Sequence, residues 1–191
     1  MKIWTLILLL GVLVSCSGEA EEENDGSYKT EVPSVEVLKA GIVELEDSLM
    51  QMSSHIGETK RQHPNLARQA LIEKLLLVYR AYPDDAEAAS CLDKVHMSYS
   101  ALQRHDLASL YADTLLHKYP AYEGRAQVIE SLASNYDVFI QPRDVSKAKY
   151  YYEMLLREFP NLPAQKKADV EFRLKHIDKT MEELIEMQIN Q

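Results

Sequence analysis

The residues able to do chemistry in this chain are few and scattered. Six histidines stand at 55, 63, 96, 105, 117 and 176, and two cysteines at 16 and 91. No Gly-x-Ser-x-Gly elbow, glycine-rich phosphate loop, His-Glu-x-x-His pair or Cys-x-x-Cys pair occurs. Nucleophilic, nucleotide and zinc chemistry each lack the spacing they need. His105-Asp106 could pair a base with a carboxylate, but the two fall at an expected helix start, where Asp serves as a cap. Glu182-Glu183 are neighbours on an expected helix and point in different directions. Cys91, among Ala and Leu, reads as a small buried side chain. The sequence therefore assigns no catalytic residue, no metal and no cofactor, and the chain reads as a non-enzyme.

Cys16 offers a different chemistry. Lys2 precedes an apolar run from Ile3 to Val14. That run is too short to cross a hydrocarbon layer of about 30 Å, which needs roughly 20 helical residues. It reads as a signal-peptide core. It ends in Leu13-Val14-Ser15-Cys16, which resembles the lipobox of bacterial lipoproteins. The resemblance implies cleavage before Cys16 and acylation of both its sulfur and the new amino terminus. Each buried methylene contributes about 0.8 kcal/mol, so several chains hold firmly where one is marginal. The other reading is an ordinary secretory peptide with a chance cysteine.

Ser17, where an Asp would resemble an inner-membrane retention signal, favours an outer-membrane address. The following run, Glu19-Ala20-Glu21-Glu22-Glu23-Asn24-Asp25-Gly26-Ser27, is similar to the surface-export signal of some Gram-negative lipoproteins. A plain solvated spacer is the alternative, since like charges repel and stay disordered. The expected organisation is a signal peptide over 1–15, a lipidated cysteine with a disordered acidic tether over 16–33, and one folded domain over 34–191. The tether could extend to about 55 to 60 Å, although a coil of that length averages nearer 20 to 25 Å.

Composition sets the outer bounds. The 191 residues, 46% of them hydrophobic, suit one modest globular domain. Loss of Lys2 takes the net charge from -9 to -10, and five of those negative charges belong to the tether. The folded part is thus only mildly acidic. It has no cluster of Lys and Arg to neutralise phosphates, which excludes nucleic acid as a partner.

What positions any site is a repeat. Val78-Tyr79-Arg80-Ala81-Tyr82-Pro83, Leu115-Leu116-His117-Lys118-Tyr119-Pro120 and Leu155-Leu156-Arg157-Glu158-Phe159-Pro160 end alike, their prolines 37 and 40 residues apart. Ala108 and Ala148 stand at one offset from the last two prolines. Leu92, Val95, His96 and Tyr99 share their spacing with Ile129, Leu132, Ala133 and Tyr136, the second copy carrying three extra residues between its helices. These residues resemble the tetratricopeptide repeat, over roughly 67–160. His96 departs from the small residue usual there, and the units are longer than the norm. The resemblance implies an all-α, TPR-like superhelix of helical hairpins. The alanines would let helices approach closely, Tyr99 and Tyr136 would fill the space between hairpins, and Asp84-Asp85, Asp106 and Asp144 fall at helix starts.

Two flanking stripes complete the domain. Val35, Leu38, Ile42, Leu45, Leu49, Met52 and Ile56 recur in steps of three and four, between Pro33-Ser34 and Gly57. They suit the first helix of a hairpin packed on Leu71, Leu75 and Val78, with a coiled-coil seam as the alternative. Val170, Leu174, Ile177, Met181 and Leu184 suit a last helix capping the array. The total expected is about seven helices. Tyr150-Tyr151-Tyr152 reads as core and groove wall.

In tetratricopeptide proteins particular positions of each first helix line a peptide groove. Carried over, they are Ser90, Asp93, Met97 and Ser100 in one unit and Gln127, Glu130, Ser134 and Asp137 in the next. The set is small, polar and acidic, which favours a basic or neutral extended segment. The Lys and Asn clamp that chaperone-binding members use for a terminal carboxylate is missing. The leading expectation is a lipid-anchored adaptor joining envelope proteins. A surface glycan- or nutrient-binding accessory lipoprotein is the rival, weakened because Trp4, the only Trp, leaves with the signal peptide. Homo-oligomerisation through the first or last stripe is the third.

Overall fold

The computed structural model describes residues 32–54 and 64–189. The expected signal peptide, Cys16 and the acidic run lie outside the described residues, as do His55, Ile56, Gly57 and His63. The described chain is all-α: α1 (Val35–Ser54), α2 (Pro64–Ala81), α3 (Ala88–Ala101), α4 (His105–Lys118), α5 (Arg125–Ser134), α6 (Val145–Glu158), α7 (Ala164–Lys175) and α8 (Met181–Ile189). A π-helical turn, Asn135–Phe139, follows α5. No helix among the described residues is long and apolar enough to cross a membrane.

Ser34 opens α1, its carbonyl accepting from the Leu38 N–H at 3.1 Å. Leu38 and Ile42 then pack with Leu71, Leu75 and Val78 of α2. The first stripe is therefore one side of a hairpin and not a coiled-coil seam. Pro64 begins α2, where its missing N–H would have had no helical partner. α3 with α4 and α5 with α6 make two further hairpins. α3 joins the array, giving Cys91 and Val95 to a core shared with α1 and α2, and Leu92 to a second core shared with α4, α5 and α6. Leu75, Leu92, Leu115, Ile129, Leu132 and Leu155 are fully enclosed. Each such side chain contributes about 1.5–3 kcal/mol.

The three similar endings fold into three similar joints. The N–H groups of Tyr82, Tyr119 and Phe159 close the preceding helix on the carbonyls of Val78, Leu115 and Leu155. Tyr119 and Phe159 share one backbone conformation, with φ -126 and -125 and ψ 68 for both. The proline that follows cannot continue the helix. Two of the aromatics also tie the array together: the Tyr82 hydroxyl donates to the Pro33 carbonyl at 3.0 Å, and that of Tyr119 to the Pro83 carbonyl at 2.8 Å. Each reaches back one hairpin. Phe159 has no hydroxyl, and Arg125 spans that joint instead, donating to Glu158 at 2.7 Å and to the Leu116 carbonyl at 3.0 Å.

Ala108 and Ala148 are fully buried, as close helix approach requires. Tyr99 and Tyr136 pack against the two cores that join successive hairpins, as expected, and each also stacks on a tyrosine of its own hairpin. Tyr99 lies flat on Tyr111 with ring centroids 5.5 Å apart, and Tyr136 on Tyr151 at 5.9 Å. The reason is that Tyr111 and Tyr151 occupy equivalent places on the second helix of each hairpin. In the tyrosine run, Tyr151 and Tyr152 are buried and Tyr150 is exposed.

The three extra residues of the later hairpin are absorbed after α5. The helix widens into the π turn, closed by the Ile140 N–H on the Asn135 carbonyl at 2.8 Å. The chain restarts at α6 under an Asp144 cap that accepts from the Lys147 N–H at 3.0 Å. Among the described residues eight α-helices stand where about seven were expected, because the last stripe is split. Thr180 Oγ1 accepts from the Glu183 N–H at 3.3 Å, and a Glu183 carboxylate oxygen accepts from the Thr180 N–H at 2.7 Å. This reciprocal capping box starts α8 anew.

Replacing Tyr119 with Phe removes one inter-hairpin hydrogen bond while leaving the ring in place. The expected cost is about 0.5–1.5 kcal/mol, read as a lower urea midpoint with an unchanged slope.

Candidate functional site

The eight residues assigned to the groove do not form one surface. Asp93, Met97 and Ser100 of α3 face Gln127 of α5 across a pocket of about 490 Å³, completed by His96, Gly124 and Ser131. Glu130, Ser134 and Asp137 instead line a second pocket of about 360 Å³ with α7 and α8. Ser90 lines neither.

In the first pocket, Asp93, His96, Met97 and Ser100 follow steps of three, one and three, so helical geometry places them on one stripe of α3. Met97 is 60% exposed at the rim. Asp93 is held from the next joint, where the Tyr122 hydroxyl donates to its Oδ2 at 2.8 Å. Nδ1 of His96 lies 3.0 Å from Asp93 Oδ1. The contact is off the axis of a hydrogen bond, and Nδ1 has no aligned partner. Burial opposes ionisation of Asp93, but the His96 ring and the Tyr122 hydroxyl outweigh it and hold the carboxyl below its ordinary value. Burial, followed by the bond to Asp93, raises the Tyr122 hydroxyl far above its ordinary range. Ser100 Oγ is also buried without a partner. His96 is only 5% exposed. The pocket thus combines the exposed Met97 with a polar floor in which Tyr122 and His96 hold Asp93, while Ser100 Oγ has no hydrogen-bond partner. Its lining has one carboxylate and no lysine or arginine.

The second pocket is satisfied from within. Asp137, expected on the groove wall, is 3% exposed. Arg143 donates to its Oδ1 at 2.6 Å, Arg173 to Oδ2 at 2.5 Å and Oδ1 at 2.7 Å, and the Tyr152 hydroxyl to Oδ2 at 3.3 Å. The π turn is the cause, because the widened helix carries Asp137 out of regular α register and in against α7. Burial pulls the Asp137 carboxyl upward, yet the hydrogen bonds from Arg173 and Arg143 hold it below its ordinary value. Glu130 is engaged as well, 2.5 Å from the Lys166 ammonium.

His105 and Asp106 are not a pair. The His105 ring stacks on Phe139 at 4.6 Å and approaches Asn135 Oδ1 at 3.3 Å, while Asp106 bonds Arg104 at 3.3 Å. Burial pushes the Cys91 thiol up to about 11, so it is not a thiolate at neutral pH. Among the described residues, no three His, Cys, Asp or Glu side chains converge to hold a metal ion. Comparison with protein-family models, curated proteins and solved structures returns no match.

Sequence reasoning missed Tyr122, Ser131, Arg143 and Arg173. Arg173 carried a signal. It stands three residues after Val170 and four before Ile177, a charged residue on an apolar stripe, which calls for a buried acidic partner. Nothing local marked Tyr122, whose partner is 29 residues away.

Asp137→Asn leaves two enclosed guanidinium groups without a charged partner and should cost about 3–5 kcal/mol at neutral pH. The native carboxyl has a lowered pKa, so its ionisation stabilises fully above the unfolded value near about 3.9. That contribution is lost as pH falls through the native value. The gap in unfolding free energy between wild type and variant should therefore stay constant from pH 8 to about pH 5 and close below about pH 4. Denaturant titrations across that range measure it.

Proposed function

We propose that this chain is a lipid-anchored, TPR-like adaptor of the Gram-negative envelope, tethered to the outer membrane through Cys16, and that the α3–α5 pocket receives an extended segment of a partner protein. The observation that carries the reading is that pocket. It lies between the first helices of two successive hairpins, in the place where tetratricopeptide proteins take peptides, and it holds an oriented carboxylate and a buried Ser100 hydroxyl without a hydrogen-bond partner. The lipobox residues Leu13-Val14-Ser15-Cys16 support the anchor. The acidic run after Cys16 supports display on the cell surface.

The groove is shorter than the eight assigned positions suggested. With Asp137 enclosed and Glu130 bonded to Lys166, the surface offered to a partner is centred on Asp93, Met97, Ser100 and Gln127. An occupant therefore contacts chiefly one pair of hairpins, which favours a short segment with one anchoring side chain.

Radioactive palmitate fed to expressing cells should label wild type and leave Cys16→Ala unlabelled; equal labelling overturns the anchor. A photo-crosslinking residue at exposed position 97 should trap a specific envelope protein on intact cells. The Asp93→Lys variant should reduce that adduct several-fold, and an undiminished adduct dismisses the groove.

A further inference from the structure

The pocket against α7 and α8 holds its charges in pairs, Asp137 with Arg143 and Arg173, and Glu130 with Lys166. What it leaves open is apolar. Val138 of the π turn, Phe172 of α7, and Met181 and Ile185 of α8 all line it and are all exposed. On α8 the column Met181, Ile185, Ile189 advances by four residues, so helical geometry sets it on one flank, and Ile189 at its end is 77% exposed. Among the described side chains of α8 only Leu184 is buried. The helix therefore covers the end of the array with one edge of an apolar face and leaves the rest of that face without a neighbour. Single exposed hydrophobics are ordinary, but four that line one cavity, continued by Ile189, mark a contact surface.

The charges beside this patch select what suits it. Asp169 stands one turn before Phe172 on α7, and Glu182 one turn before Ile185 on α8, so a carboxylate accompanies the exposed apolar residue on each of the two helices. Asp169 accepts from the Gln165 amide at 2.9 Å, a neutral partner. α8 carries three glutamates and no lysine or arginine. Cations on both sides of an apolar strip would meet these carboxylates. A second copy presenting the same patch would set acid against acid, and an anionic lipid surface attracts basic helices and not acidic ones.

Backbone chemistry narrows the form of the occupant. Apolar side chains give no hydrogen-bond partners to the N–H and C=O groups of an extended segment laid among them. An α-helix satisfies those groups itself and presents apolar anchors at i, i+3, i+4 and i+7 to a crevice between helices.

We infer that the α7–α8 end of the domain is a docking surface for a basic amphipathic helix, whose apolar face lies on Val138, Phe172, Met181 and Ile185 and whose flanking lysines or arginines meet Asp169 and Glu182. This surface is separate from the α3–α5 pocket and stands whether or not that pocket receives a segment.

Three labelled peptides of about four helical turns test it on the purified full-length chain. The first is leucine and lysine with the leucines on one face, the second the same composition scrambled so that leucine is spread around the helix, and the third the first with glutamate for every lysine. Binding is read by fluorescence anisotropy and by the Met181 methyl resonance, with the Met97 methyl reporting on the other pocket. The first peptide should bind and shift Met181 but not Met97, with the other two at least about tenfold weaker. Ile185→Gln, at an exposed position, should weaken it about tenfold. Asp169→Lys combined with Glu182→Lys should turn the preference toward the glutamate peptide, a change that partial unfolding does not produce. Equal binding of the scrambled peptide reduces the contact to bulk charge and overturns the inference. Equal binding of the glutamate peptide to wild type, or a shift of Met97 without Met181, overturns it too. If no peptide binds, the inference fails, and light scattering and flotation with phosphatidylglycerol vesicles, on wild type and Ile185→Gln, then show whether a second copy or a membrane covers the patch instead.

Discussion

Asp137 is the constraint around which the C-terminal half of the domain is arranged. Two guanidinium groups converge on one carboxylate, leaving the cluster with a surplus positive charge. That surplus is met by backbone. Arg173 donates to the carbonyls of His176 and Lys179, both at close range, and Arg143 to that of Ile177. These carbonyls follow the end of α7, where a helix carries partial negative charge. One buried carboxylate thus fixes the π turn, the loop before α6, the end of α7 and the turn into α8. Buried ion pairs are poor evidence for net stability, because desolvation offsets attraction. Their structural value here is geometric, since any other path for this chain would leave one of three enclosed charges unmatched.

The N-terminal half is held by a different device, repeated. The Tyr-Pro joints close each helix on the carbonyl four residues back, and the tyrosine hydroxyls of residues 82 and 119 fasten each joint to the proline one hairpin back. Each such bond is exposed and individually modest. Their effect lies in repetition, because each repeat contacts only its neighbours and its position depends on the joint before it. At Phe159 the hydroxyl disappears, and the Arg125–Glu158 pair takes its place where the π turn and the Asp137 cluster begin. The architecture changes fastening at the point where the repeat stops being regular.

This division also explains what was legible in the sequence. The helices, the hairpin pairing and the buried alanines follow from spacing and periodicity, which are local and survive in one dimension. The stacking of Tyr99 on Tyr111 and of Tyr136 on Tyr151 follows from equivalent positions in two copies, so it was within reach once the copies were aligned. Thr180 and Glu183 form a capping box visible in the sequence, and it divides a stripe that periodicity alone joins into one helix. Asp137 was misplaced because carrying a groove position across assumes regular α geometry, and three inserted residues remove that regularity. The partners of Asp93 and Asp137 are distant in sequence, so only packing brings them together.

The same packing alters what the negative charge means. Acidic residues assigned to the groove suggested a field that would draw in basic partners along its length. In the folded domain Glu130 faces Lys166, Asp137 is enclosed between Arg143 and Arg173, and Glu46 of α1 faces Lys94 of α3. These pairs cancel at short range, and beyond about 8 Å salt screens what is left of them at physiological strength. Asp93 differs in kind. Its internal partners are a phenol and an imidazole, which orient the carboxylate without supplying a lysine or arginine to neutralise it. This surface therefore presents one oriented charge beside the exposed Met97 and not a broad acidic field, so in the proposed groove any selectivity rests on geometry at a single side chain.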